Sequence, residues 1–326
     1  MMGRWMGTLF DKIAHRAPGI ALYGLAPPKR DTPPERLAAI AAQQVARLRA
    51  LPIDGVVVYD IQDEAERMAM PRPFPFLPTV EPEEYAARHL AEVGRPAIVY
   101  RSLQRDTRAS FTAWLDAVAA SGKPRLSVLV GAPSRRARGE VALDEAYALA
   151  RTRAPNLMLG GIAIAERHGR RFDEHQRMLA KTDQGCRFFI TQAVYDVTST
   201  KSLLSDYALA LDARGAEPVP IILTFSPCGS AKTLAFMQWL GIAFPRWLEN
   251  ELRHSPDPLA TSLALCEQIC ADATAYARTK RIPLGINVES ISIRRPEIEA
   301  AGTLLSSLQE MIGSIQGLVP TDLSTP

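Results

Sequence analysis

Two spacings of apolar residues alternate along this chain. Short, nearly continuous apolar runs predict buried strands. The stretches between them, where apolar residues return every three or four places, predict amphipathic helices. The runs are 20–25, 55–59, 97–100, 126–130, 157–163, 188–191, 219–225 and 284–288. Helices are predicted over 35–50, 83–93, 110–121, 144–153, 173–185, 201–213, 231–241, 245–253, 258–279 and 296–312. In the first of these, Leu37, Ile40, Ala41, Val45 and Leu48 form one stripe, the face a helix buries. One segment fits neither spacing. Residues 70–78 read Met-Pro-Arg-Pro-Phe-Pro-Phe-Leu-Pro, and proline at that density excludes regular structure.

Eight strands, each followed by helix, predict an α/β fold of one kind, a single (β/α)8 TIM barrel. A doubly wound open sheet is the competitor. It would carry a glycine-rich phosphate turn after the first strand, whereas this chain has Ala26-Pro27-Pro28-Lys29 there. The barrel is expected to occupy 1–326 as one domain, with residues 1–19 as an N-terminal extension and 313–326 as a polar tail.

Composition narrows the class. Of 326 residues, 47% are apolar and 22% charged, and the net charge is +3, as in a soluble globular protein. The densest basic spot, Arg135-Arg136-Ala137-Arg138, is short and lacks interleaved aromatics, so no nucleic-acid partner is expected. The four cysteines include no C-x-x-C pair. That count gives no zinc signature and fits a reducing cytoplasm. No secretory signal and no membrane-length apolar run is present, so a cytoplasmic location with no membrane partner is expected. Assembly into a homo-oligomer stays open.

Candidate chemistry concentrates in 160–196. An apolar strand leads into a polar segment with Glu166 and His168. A helix follows, starting at the N-cap candidate Asp173 with Gln176 in capping-box spacing and stopping at Gly185. The next strand ends in Thr191-Gln192. Parallel barrels work at the carboxyl ends of their strands, so His168, Gln192 and the acidic loop Asp60–Glu64 are expected to open into one pocket. Gln192 is either a bridge to a neighbouring strand or a ligand contact. His168 is either a solvated loop residue or a cofactor contact. Glu174 and Lys181, seven apart, share a helix face. Tyr59 and Tyr100 end strands two and three, and Glu289 lies just past strand eight.

These residues carry a resemblance. The stretch Glu174–Asp196, EHQRMLAKTDQGCRFFITQAVYD, resembles methylenetetrahydrofolate reductase, a flavin-dependent (β/α)8 barrel. Ala26-Pro27-Pro28-Lys29, Glu166-x-His168, the segment Gly241–Leu248 and Gly285-Ile286-Asn287-Val288 are similar to its flanking motifs. The resemblance implies FAD as cofactor, with His168, Glu174, Lys181 and Tyr59 as flavin contacts, NAD(P)H as reductant, and a reduced folate held by Gln192 and Tyr195. It implies reduction of 5,10-methylenetetrahydrofolate to 5-methyltetrahydrofolate, a step of one-carbon metabolism that feeds methionine biosynthesis. Two positions depart from the pattern. Gly24 stands where the family has the glutamate acid, and Ala132 where it has an aspartate beside the flavin. A reductase therefore needs its acid from elsewhere, and Glu289 and Asp60 are the candidate catalytic residues. Glu289 ranks first because strand eight closes onto strand one. The alternatives are a folate-dependent one-carbon transfer or demethylation enzyme without flavin, and a non-catalytic folate-binding barrel.

Overall fold

The computed structural model describes residues 7–63, 72–131 and 139–317. Ala132, the basic spot at 135–138 and Glu64 lie outside the described residues, as does the end of the tail. Eight parallel strands close into a barrel in chain order: β1 (Ala21–Leu25), β2 (Gly55–Val58), β3 (Ala97–Ser102), β4 (Arg125–Val130), β5 (Leu157–Ala163), β6 (Cys186–Ala193), β7 (Ile221–Phe225) and β8 (Leu284–Glu289). The seam is a regular β1–β8 ladder, pairing Leu22 with Asn287 and Gly24 with Glu289. The fold is the expected (β/α)8 TIM barrel.

Around it lie α1 (Leu9–Ala14), α2 (Pro34–Ala50), α3 (Pro82–His89), α4 (Arg108–Ala120), α5 (Leu143–Arg153), α6 (Ala165–Arg171), α7 (Glu174–Asp183), α8 (Val197–Arg214), α9 (Ala231–Trp239), α10 (Arg246–His254), α11 (Pro258–Thr279) and α12 (Arg295–Gly317). The strand period of two sorts side chains into two cores. Leu22, Val57, Ile98, Leu126, Val128, Phe188, Ile190 and Ile222 fill the barrel axis. Tyr23, Val58, Phe189 and Val288 pack outward against the helices.

The amino-terminal segment is more than an extension. Thr8 and Asp11 cap α1 reciprocally in a capping box, and Leu9 and Ile13 insert into the axial core. Gly55 makes the room, since a Cβ there would lie 2.5 Å from Leu9 Cδ2. Lys12 Nζ bonds Asp54 at 2.7 Å, and Asp54 in turn accepts the Ala21 amide. The floor of the barrel is thereby plugged. At the other end, α12 continues to Gly317 instead of stopping near 312. No described helix is long and apolar enough to cross a membrane.

The proline-rich stretch becomes a strap. Arg72 lies over the rings of Phe76, Phe236 and Trp239, and Phe74 meets Phe236 edge-on at 5.5 Å. Two residues further on, Val80 donates to the Pro28 carbonyl, while Arg30 donates to that of Pro78. The connection after β2 therefore rests on α9, beyond β7, and returns beside the end of β1. Aromatic and cation–π contacts hold it where proline denies it ladder bonds.

Candidate functional site

The inward faces of β1, β2, β7 and β8 meet in one polar cluster near the carboxyl end of the barrel. Gly24 starts it. A Cβ at that position would lie 2.8 Å from both Cε2 and the hydroxyl oxygen of Tyr59, so the missing side chain admits the Tyr59 ring across β1. Tyr59 packs edge-on against Tyr100, with centroids 4.9 Å apart. Its hydroxyl accepts from Asn287 Nδ2 at 2.9 Å and faces the Glu289 carboxyl, with which it interacts electrostatically. Asn287 Nδ2 also reaches Thr224 Oγ1 at 3.2 Å. The chain of contacts runs Thr224–Asn287–Tyr59–Glu289, contributed by three strands.

Burial sets the electrostatics of this cluster. Desolvation pushes the Glu289 carboxyl up to about 7, and the Tyr59 hydroxyl only partly opposes it. Tyr59 and Tyr100 are pushed upward by their own burial and by the neighbouring carboxylate. A carboxyl near 7 holds or releases a proton at neutral pH, as general acid work requires. Asn287 Oδ1 is buried and has no hydrogen-bond partner among the described residues, an acceptor left for a ligand or a water.

Asp60 follows Tyr59 but does not join the cluster. Its carboxylate accepts the Ser102 amide at 2.8 Å and the Gln62 side-chain amide at 2.5 Å. Burial pushes its pKa up. It lines a separate rim cavity of about 180 Å³ together with Arg30, Gln62, Glu81, Arg101 and Arg105. The two candidate acids thus face different spaces, and Glu289 is the one opposite Gly24.

The 160–196 stretch is placed differently from its expectation, with His168 buried against α8 instead of opening into a pocket with Gln192. Glu166 and His168 are on α6, not in a loop. His168 is fully buried and its Nε2 lies 3.0 Å from Asp206 Oδ2 on α8, which puts it in the helix layer. Glu174, also fully buried, accepts the Ile164 amide at 3.1 Å. Lys181 Nζ donates to the Ile162 carbonyl at 2.6 Å, and desolvation lowers its pKa. These two side chains bind α7 to the end of β5. Three of the four expected flavin contacts, His168, Glu174 and Lys181, have protein partners, and Tyr59 faces the barrel axis. As placed, the four do not fit a flavin cradle.

Tyr195, expected to hold the folate, is 1% exposed, donates to the Ser226 carbonyl at 2.6 Å and packs against the tilted ring of Phe244. Gln192 donates through Nε2 to the Leu240 carbonyl at 2.8 Å, which realises the bridging reading with a turn instead of a strand. Glu166 faces the Ala243 amide of the same turn, and its burial raises its pKa to about 7. Asn287 and Thr224 are site residues that went unassigned. On β8 the period of two from Glu289 already points to Asn287; nothing local marks Thr224.

Comparisons with known proteins find one relative over nearly the whole chain. The chain is 38% identical to a protein from Clostridium thermocellum that binds two copies of 5-methyl-5,6,7,8-tetrahydrofolic acid, with a TM-score of 0.83 over 93% of this chain and 99% of that one. It belongs to the same family as that clostridial protein. A xylanase from Paenibacillus barcinonensis (13% identity, 89% and 88% coverage, TM-score 0.47) and one from Thermobacillus composti (12%, 92% and 100%, 0.47) are also similar. No protein-family model matches the chain, and no curated protein does.

Proposed function

We propose that this protein binds a reduced folate at the carboxyl end of its barrel and acts on the one-carbon unit at N5 without requiring flavin. The observation that carries the reading is the kinship with the clostridial binder of 5-methyltetrahydrofolate, at 38% identity over nearly the whole of both chains. The polar cluster supports it. A pterin offers N–H donors and ring nitrogens in one plane, and Glu289 with the unsatisfied Asn287 Oδ1 supplies acceptors on a largely apolar wall, the usual make-up of a small-molecule site.

The chemistry suits a carboxyl with a raised pKa. When a nucleophile brought in as second substrate bonds the methyl carbon and displaces it from N5, the carbon–nitrogen electron pair stays on that nitrogen, which then takes a proton. Glu289, protonated near neutrality, is the donor, and the Tyr59 hydroxyl stabilises the carboxylate left behind. The Tyr59 ring, fixed by Gly24 and Tyr100, holds that carboxyl in one position, which is the protein's share of the work.

Isothermal titration with 5-methyltetrahydrofolate tests this. Saturable binding is expected, weakened roughly 10- to 100-fold in Glu289→Ala, as for loss of a buried hydrogen-bond partner. Absence of binding at millimolar ligand would overturn the proposal. In a parallel titration with FAD, no stoichiometric yellow complex is expected. Its appearance would restore the flavin-dependent reductase.

A further inference from the structure

The helix layer holds a second group of chemically competent side chains. His168 on α6, His175 on α7 and Asp206 on α8 each present a donor atom, and the three atoms lie within 4.8 Å of one another. We propose that these residues bind one divalent transition-metal ion of the zinc class, at a site separate from the barrel mouth.

Unused hydrogen-bonding capacity is the first argument. A buried imidazole ordinarily satisfies both nitrogens. His168 is 0% exposed, yet only its Nε2 is engaged, by Asp206. Its Nδ1 has no hydrogen-bond partner among the described residues, and neither does the buried Nδ1 of His175. In the tautomer with its proton on Nδ1, His168 turns the Nε2 lone pair toward the Asp206 carboxylate, two acceptors 3.0 Å apart that a cation between them reconciles. A metal ion is the partner that a neutral imidazole, a second imidazole and a carboxylate share.

Geometry is the second. The two imidazole centroids are 5.4 Å apart with their planes at 83°. Two imidazoles bound to one tetrahedral ion at about 2.0–2.1 Å have centroids roughly 5 Å apart. Tetrahedral donors at that bond length stand about 3.3 Å from one another. The His168–Asp206 separation of 3.0 Å is close to that value. The widest donor separation of 4.8 Å has about 1.5 Å to close. The ring of His175, only partly buried, has room to turn inward by that much. The side chain of Asp206 is 41% exposed, which gives an ion its path in and leaves a coordination position for water.

The backbone between the two histidines adds a third observation. Phe172, in the turn joining α6 to α7, has φ 56°, a left-handed conformation that costs a bulky residue about 1–2 kcal/mol. Phe172 is the left-handed cap that ends α6, its amide donating to the His168 carbonyl at 2.7 Å and its ring meeting the His168 ring edge-on at 5.8 Å. The turn brings residues 168 and 175 to the same place. The cysteines have no part in the site, since all four are buried elsewhere.

Chelator-treated full-length protein titrated with zinc chloride against a chromophoric competitor tests the inference. One ion per chain is expected, with a rise in Tm on adding zinc. His175→Ala removes a partly exposed ligand, and its melting curve without metal reports whether the fold is intact. That variant and Asp206→Asn are each expected to lower zinc affinity at least 10-fold and to lose the zinc-dependent rise in Tm. Failure of the wild type to bind one equivalent overturns the proposal. Binding that both folded variants retain overturns it too, by placing the ion at His15, His89 or His254.

Discussion

Gly24 and Glu289 show at the residue scale how one missing side chain reorganises a site. The glycine leaves a gap on the axial face of β1 that the Tyr59 ring fills, and Tyr59 then faces Glu289 on the adjoining strand. The carboxyl pays for that position in stability. Its pKa is raised by burial, so the folded state holds a proton that the unfolded state has released between about pH 4.5 and about 7. Where the folded state binds more protons, stability falls as pH rises. The wild type is therefore expected to lose on the order of 1–3 kcal/mol from this group as pH rises through that window, with no further change above it. Glu289→Gln removes the titration. Urea melts at pH 5 and pH 8 are expected to show a smaller pH difference for the variant, which keeps part of the slope through the similarly raised Glu166. An unchanged slope would mean that Glu289 is ionised and solvated in the folded protein.

At the scale of elements, the turn between α9 and α10 is held by three separate anchors. Gln192 bonds Leu240, Glu166 faces the Ala243 amide electrostatically, and Tyr195 packs against the tilted Phe244 ring at 4.4 Å. Residues that the resemblance assigns to ligand and cofactor motifs thus reappear as fastenings of one connection. Gln192→Ala is expected to cost about 1 kcal/mol, the net worth of one hydrogen bond. Faster amide exchange confined to 240–244 is the accompanying sign. The same variant separates two roles for Gln192. An unchanged affinity for 5-methyltetrahydrofolate assigns it to the turn alone, and a fall greater than the loss in stability assigns it to the ligand as well.

Across the whole molecule the two ends of the barrel differ, an apolar plug at one and a polar cluster at the other. The floor is closed by α1, with Leu9 1% and Ile13 2% exposed. The opposite end carries the polar cluster and the strap laid on α9. Ile13→Ala is expected to destabilise the protein by about 2–4 kcal/mol, as a core truncation that leaves a cavity, while folate affinity in the folded protein stays as in the wild type. Urea denaturation and calorimetric titration of the same preparation measure both. Weakened binding would show that the plug also sets the geometry of the mouth.

Much of this architecture was legible in the order of residues alone. Eight apolar runs separated by amphipathic helices allow few arrangements, and a parallel strand needs a crossover before the next one. The barrel and its closure of β8 onto β1 follow from that, and with the closure the pairing of Glu289 with Gly24. Burial direction along a strand is equally local, because neighbouring side chains point to opposite faces. What a polar side chain touches is not local. His168, Glu174 and Lys181 have the spacing of a ligand-binding face, yet their partners, Asp206, the Ile164 amide and the Ile162 carbonyl, come from elements whose packing no spacing records. Tyr195 became a core residue for the same reason. The proline-rich strap found its place only by meeting α9, well over a hundred residues along the chain. The pattern of apolar residues determined the barrel, since burying apolar surface has no direction and needs only the right period. Tertiary structure decided which polar groups face a ligand, because hydrogen bonds and pKa shifts depend on distances of a few ångströms between residues far apart in sequence.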